Sequence, residues 1–246
     1  MDFNLSEEQQ QFADALRRWI VRDYSFEQRH KIVHSEQGVS AQAWDTLVEL
    51  GMTALPVPAA QGGFDGSAVD LMVVMQELGR GLVVEPYWST VLGAEFLKRA
   101  GGHDALLEKI AAGTQRLACA LGEKQARYDL FDITTSVTAE AGGYRINGMK
   151  TVVLHGAQAD TLIVSARSAG ATRDLDGISL SCWRPITPAY RVAITVPSMA
   201  SAPPIFRSTM CSCRPRRCWA RAGLAGRCWT RYPTMALHCC APKRLA

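Results

Sequence analysis

Apolar residues recur at helical spacing through the first 115 residues and in short β-branched runs after them. Phe12, Leu16, Trp19 and Ile20 fall on one helical face, which puts Trp19 in a core. Ser6, followed by Glu7, Glu8 and Gln9, is a capping-box pattern that starts this helix by satisfying free backbone N–H groups. Ser40 can cap a second helix with Trp44, Leu47 and Val48 inward and a stop at Gly51. Leu55-Pro56-Val57-Pro58 and Gln61-Gly62-Gly63 read as a loop, because proline blocks helix and glycine favours turns. Ser67 opens another helix with Leu71, Val74, Met75 and Leu78 inward. Ser89–Ala100 and Asp104–Ala112 follow, ended by Gly101 and Gly113. That is five or so helices before the first strand.

From Leu117 the period changes. Leu117–Leu121, Ile133–Thr138 and Thr151–Leu154 read as strands, because β-branched and apolar residues suit a half-buried pleated surface, and Gly177–Leu180 is expected to be the last strand before the tail. Gly142-Gly143 and Asn147-Gly148 lie between runs, where turns need positive φ. Helices followed by strands predict an α+β chain rather than alternating α/β. The expected divisions are a helical domain over 1–115, antiparallel strands over 116–180, and a tail over 181–246.

Composition sets the tail apart. Residues 1–180 carry 16 Lys and Arg against 23 Asp and Glu, a net of −7, whereas 181–246 carry 11 basic residues and no acid. The tail also holds seven of the eight cysteines and eight of the eleven prolines. Its Cys and His spacings include no paired C-x2-C, so they fit a zinc site poorly. Its arginines interleave with Trp219 and Trp229 but have no folded platform for nucleic acid. The reading is therefore no metal and no nucleic-acid partner. No apolar run approaches the roughly 18 residues that span a bilayer, and the acidic, polar start lacks a signal-peptide pattern. A cytoplasmic, non-membrane protein is expected.

The stretch 117–160 carries a resemblance. Asn147-Gly148-x-Lys150, then Gly156-x-x-Ala159-Asp160 and Thr161–Ala166, is similar to the middle β-domain of acyl-CoA dehydrogenases. Ala120, Leu121, Glu123, Ala126 and Asp129 match that family's A-L-T-E-P-x-A-G-S-D pattern, while Val152-Val153-Leu154-His155 stands where it reads W-I-T-N. The pieces F-x-L-S-E-E-Q, L-G-M-x-x-L-x-V-P and G-G-F resemble the family's helical N-terminal domain. E-x-Q-x-R-Y-D-L and K-T-V-V-L-H-G look like the small subunit of pimeloyl-CoA dehydrogenase and its two-subunit relatives.

The resemblance implies FAD as cofactor, an acyl-CoA thioester as substrate, and α,β-dehydrogenation to a trans-2-enoyl-CoA. It implies a homo- or hetero-oligomer with a second acyl-CoA dehydrogenase subunit; the alternative is a noncatalytic small subunit stabilising a flavin-bearing large one. Leu121, Glu123, Val152 and Leu154 fall at cofactor-side positions, and Arg127, Tyr128 and Asp129 at substrate-side ones. An Arg at 127 suits a phosphate or an acyl carboxylate. No residue of 1–180 matches the family's catalytic Glu, which lies in a C-terminal helical domain missing from this reading. His155 is weighed as a base against a structural role, and Cys119 reads as a small core residue.

The resemblance also explains the tail. Out-of-frame GC-rich coding sequence yields Arg, Pro, Ala, Cys and Trp with few acids. Shifting the frame by one base over codons 217–221 can turn Cys218-Trp219-Ala220-Arg221 into Leu-Leu-Gly-Glu. The shifted text then resembles the rest of the family's β-domain and the first helix of its C-terminal domain. The sequence-level expectation is a truncated chain with an out-of-frame tail, inactive on its own.

Overall fold

The protein is described by a computed structural model, which covers residues 4–140, 143–183, 190–192 and 205–213. Among the described residues six α-helices come first: α1 (Glu7–Asp23), α2 (Phe26–Val33), α3 (Ala41–Glu49), α4 (Ala68–Arg80), α5 (Tyr87–Ala100) and α6 (Asp104–Ala111). Strands follow: β1 (Leu117–Ala120), β2 (Ser136–Glu140), β3 (Gly143–Thr151), β4 (Thr161–Arg167), β5 (Ile178–Trp183), β6 (Tyr190–Val192) and β7 (Ile205–Cys213).

The caps behave as their sequence predicts. The Ser6 hydroxyl accepts from Gln9 N while Gln9 Oε1 accepts from Ser6 N, a complete capping box. Ser40 caps α3 through Ala43 N, and Ser67 and Asp70 form a second capping box on α4. α2 escapes the sequence pattern because it is short and mostly polar, with Ile32 its one buried residue. Leu16, Trp19, Trp44, Leu47, Met52, Val74, Leu78 and Tyr87 make the core of α1, α3, α4 and the start of α5.

α5 joins the two halves. Val57, Ala94, Phe96, Leu97 and Ile110 on the helical side share one buried cluster with Leu117, Ile163, Leu180 and Cys182 on the sheet side. Each such large side chain contributes about 1.5–3 kcal/mol on leaving water. Gly93 allows the close approach, since a Cβ there would lie 2.6 Å from Leu117 Cδ1. Thr90 Oγ1 accepts from Leu117 N at 3.1 Å, which fixes where β1 begins.

The sheet is mixed, where the sequence suggested antiparallel strands. β4 is its axis, parallel to β1 with Leu117 opposite Thr161 and antiparallel to β5 with Leu162 opposite Trp183. All seven β4 residues are buried, as expected of a strand covered on both faces. β2 meets β4 at Ser136 and Arg167 and pairs with β3 as a hairpin, Glu140 opposite Gly143. β7 lies antiparallel along β3, and β6 along β7. Among the described residues, β5 pairs only with β4, so the tail strands join the sheet at β3 and not at β5.

Two strand boundaries differ from the sequence pattern. The predicted strand Thr151–Leu154 ends at Thr151, and the predicted turn Asn147-Gly148 lies inside β3, where the pairing with β7 shifts register. Glycine is needed at 148 for space: an added Cβ would lie 2.6 Å from Thr135 Cα. Likewise Ile133–Thr135 precede β2 rather than forming it, because the N–H groups of Thr134 and Thr135 donate to the Glu123 carboxylate and not to a strand. Gly142 lies outside the described residues, as do the side chains of all the tail cysteines and arginines after Cys182 weighed above.

Candidate functional site

β1 runs out at Ala120 into a segment, 121–135, that returns to β2 across the end of β3. Its fixed point is Glu123. Lys150, the last inward residue of β3, is fully buried and donates from Nζ to Glu123 Oε1 at 2.8 Å. The same ammonium donates to Ser165 Oγ on β4 at 2.9 Å and to the Leu121 carbonyl at 3.3 Å, so its three donors are all used. Glu123 is 2% exposed and accepts further bonds from Thr134 N, Thr135 N, the Thr134 hydroxyl and Gln125 Nε2. One ion pair therefore ties together β3, β4 and both ends of the 121–135 segment.

The electrostatics follow from that enclosure. Burial opposes the charge on Glu123, but Lys150 and the hydrogen bonds from Thr134 and Thr135 outweigh it and hold the carboxyl down at about 2. Burial lowers Lys150 to about 8, with Glu123 pulling the other way. Both groups are ionised at neutral pH. A carboxylate held that low is a weak base, so Glu123 cannot take a proton from carbon.

Arg167 performs the corresponding task at the other end of β4. Its guanidinium donates to the carbonyls of Phe131, Thr172, Asp174 and Asp176 at 2.7–2.8 Å, binding the 168–177 loop to the 129–133 turn. Sequence reasoning assigned no role to Lys150, Thr134, Thr135, Ser165 or Arg167. Lys150 had a visible signal: a lysine inside the resembling motif that the strand period turns inward.

The sequence-predicted residues fall into two groups. Thr151 N donates to Gly122 O at 2.9 Å, which brings Leu121 and Glu123 beside the end of β3 and the start of the Val152–His155 turn. Val152 and Leu154 stand on that turn 57% and 56% exposed, an apolar edge open to solvent. Val152 holds φ +53° and His155 φ +56°, a left-handed conformation that is costly for a β-branched residue. His155 is half-buried, and burial lowers its pKa, so it is neutral at pH 7. Cys119 is a free thiol whose pKa burial raises to about 12, which makes it unreactive.

Arg127, Tyr128 and Asp129 are exposed on the 121–135 segment. Tyr128 is 99% exposed, and Arg127 has φ +51°. Asp129 Oδ1 accepts from Phe131 N at 2.9 Å and so stabilises its own turn. Among the described residues no three His, Cys, Asp or Glu side chains converge as a metal site, and no helix is long and apolar enough to cross a membrane.

A flavin does not fit these residues as a complete site. Leu121, Val152 and Leu154 offer no side-chain hydrogen-bond donor to a ring. Glu123, the charged residue at that position, is sealed behind Lys150.

Residues 6–114 match the family described as acyl-CoA dehydrogenase, N-terminal domain. The fold is similar to that of solved structures that include acyl-CoA dehydrogenases. A structure of the ChsE4-ChsE5 complex from Mycobacterium tuberculosis is similar at TM-score 0.77 and 21% identity, over 93% of this chain and 60% of that one. Butyryl-CoA dehydrogenase from Megasphaera elsdenii is similar at 0.76 and 20%, over 92% of this chain and 62% of that one. An FAD complex of PigA is similar at 0.75 and 22%, over 92% and 61%. The chain thus spans about 60% of the length of the solved chains it resembles.

Proposed function

We propose that this chain derives from an FAD-dependent acyl-CoA dehydrogenase, which converts an acyl-CoA thioester to the trans-2-enoyl-CoA, and that it is inactive by itself. The observation that carries the first part is the docking of an acyl-CoA dehydrogenase N-terminal domain, through α5, onto β1, β4 and β5 in a fold shared with butyryl-CoA dehydrogenase. The second part rests on the chemistry of the described site. Dehydrogenation needs a base for the α-proton and a hydride acceptor for the β-position. Glu123 is held at about 2 and enclosed, and the Val152–Leu154 edge offers the flavin ring neither a stacking aromatic ring nor a hydroxyl.

In this reading Leu121, Val152 and Leu154 give the cofactor an apolar wall, while Glu123 shapes that wall from behind. Arg127, Tyr128 and Asp129 face the acyl-CoA, with Arg127 suited to a phosphate or to a second acyl carboxylate. The motifs E-x-Q-x-R-Y-D-L and K-T-V-V-L-H-G support reading the parent as a cytoplasmic small subunit of a two-subunit dehydrogenase, and the composition of residues 181–246 supports reading them as a shifted frame. A noncatalytic small subunit that steadies a flavin-bearing partner is the second reading, favoured by the two-protein ChsE4-ChsE5 assembly among the similar structures.

Purified 1–246 is expected to be colourless and to leave acyl-CoA unoxidised. Losing one positioned acid–base group already slows such a step about 10²- to 10⁴-fold. A bound-flavin spectrum that bleaches on adding acyl-CoA would overturn the proposal. The coding sequence at codon 181, restored to the shifted frame and co-expressed with a partner subunit, is expected to regain flavin absorbance. Flavin and turnover from the restored chain alone would remove the second reading.

A further inference from the structure

We propose that Glu85 is a proton-operated latch, its buried carboxyl fastening the start of α3 to the end of α1 and loosening as it ionises. Glu85 lies in the connection between α4 and α5 and is 3% exposed. Its Oε2 accepts from the Tyr24 hydroxyl at 2.7 Å and its Oε1 from Ser40 N at 3.2 Å. Tyr24 is the C-cap of α1 and Ser40 the N-cap of α3. Val84 N donates in turn to the Tyr24 hydroxyl oxygen at 3.2 Å. One carboxyl thus joins the end of α1, the start of α3 and the α4–α5 connection.

Glu85 differs from Glu123 in having no buried cation. Among the described residues no Lys, Arg or His forms an ion pair with it, whereas Glu123 has Lys150. The ionisable groups on the surrounding elements are committed elsewhere. Asp23 at the end of α1 pairs with Arg22, and Arg29 on α2 lies over the Phe26 ring. Tyr87 on α5 donates its hydroxyl to the Met52 carbonyl, and burial keeps both Tyr24 and Tyr87 protonated. Burial therefore outweighs the two donors and raises the Glu85 pKa.

The neutral acid fits this enclosure and the carboxylate strains it. The Tyr24 hydroxyl both donates and accepts, so its bond to Glu85 survives protonation with the direction reversed. Once ionised, the carboxylate gains by reaching water. A cavity lined by Trp19, Gln28, Ala43 and Thr46 is also lined by Tyr24 and Ser40, the two groups that close over Glu85. A carboxyl whose folded pKa is raised holds best below its unfolded value of about 4.3, and that hold is lost as pH rises through the folded value. This window lies above the one in which Glu123 acts.

The latch reaches the sheet. The 34–40 loop leads into Ser40, and its Gln37 carbonyl accepts from Gln158 Nε2 at 2.8 Å. Gln158 N donates to the His155 carbonyl, so Gln158 belongs to the turn that follows Leu154. Release at Ser40 loosens a loop that is bonded to that turn. The device holds whether or not the turn faces a cofactor.

The test is hydrogen–deuterium exchange of the full chain and of Glu85→Gln, whose amide stands in for the neutral acid, at matched pH from 5 to 8. Comparison at each pH cancels the intrinsic pH dependence of exchange. Amides of residues 34–44 in the native chain should exchange severalfold faster than those of Glu85→Gln at pH 8, with a smaller difference at pH 5. Tyr24→Phe removes a donor from the carboxylate, so its excess exchange should grow further as pH rises. A native-to-variant ratio that does not change with pH, or slower exchange in the native chain at pH 8, overturns the proposal. Should Glu85→Gln fail to fold, Tyr24→Phe decides: the same pH dependence as the native chain overturns it.

Discussion

At the residue scale, the buried Lys150–Glu123 pair decides how the candidate site is held. Removing one partner strands the other charge, so Lys150→Met should cost about 3–5 kcal/mol in urea unfolding. Lys150→Met combined with Glu123→Leu should recover much of that loss, because replacing both charges removes the stranded one. A double variant no better than Lys150→Met would show that the pair is not what fixes the segment. The pH dependence follows from Glu123, whose folded pKa of about 2 lies below the unfolded carboxylate value of about 4.3. Its stabilisation is therefore complete above that unfolded value and is lost as pH falls towards 2. Stability measured from pH 5 to 2 should drop more steeply in the native chain than in Glu123→Gln. Val152 offers a gain instead: its φ of +53° suits glycine, and its side chain is more than half exposed. Val152→Gly should raise stability by about 1 kcal/mol, read as a higher thermal midpoint.

At the element scale, the contact between α5 and β1 sets the geometry of everything after it. Glycine inside a helix normally costs about 1 kcal/mol against alanine, so Gly93→Ala would stabilise an exposed helix. Here the added methyl would meet Leu117 Cδ1 at 2.6 Å and Leu117 Cβ at 2.7 Å. Overpacking of this kind costs about 1–3 kcal/mol, so the net effect should be destabilising in thermal unfolding. The helix starts were readable because a cap is a local device: Ser6, Ser40 and Ser67 each bond a backbone N–H three residues on. The boundaries of β3 were not readable in the same way. Thr151–Leu154 has strand-forming residues, but Thr151 N bonds Gly122 across the structure and the chain then turns.

At the scale of the whole molecule, helices and sheet share a core. Ala94, Phe96, Leu97 and Ile110 are 0–6% exposed and pack on Leu117, Ile163 and Leu180. A fragment of residues 1–115 would expose that face, so it should unfold at lower denaturant than the full chain and bind more of a hydrophobic dye. Equal midpoints would mean that the helical half is stable without the sheet.

The amino-acid sequence alone determined the division into helices and then strands, the capped helix starts, the inward Trp19 and Trp44, and the compositional break in the tail. All of these depend on neighbours within a few residues or on local content. Only the tertiary structure decided that β1 runs parallel to β4, that Glu123 is sealed by Lys150, and that Val152 and Leu154 face solvent. Those outcomes join residues 15 to 44 positions apart, as in Lys150 with Ser165 or Leu117 with Thr161, and no local period encodes such a meeting. A glutamate in a loop pattern looks solvated until the fold supplies the buried cation and two backbone N–H groups that hold it.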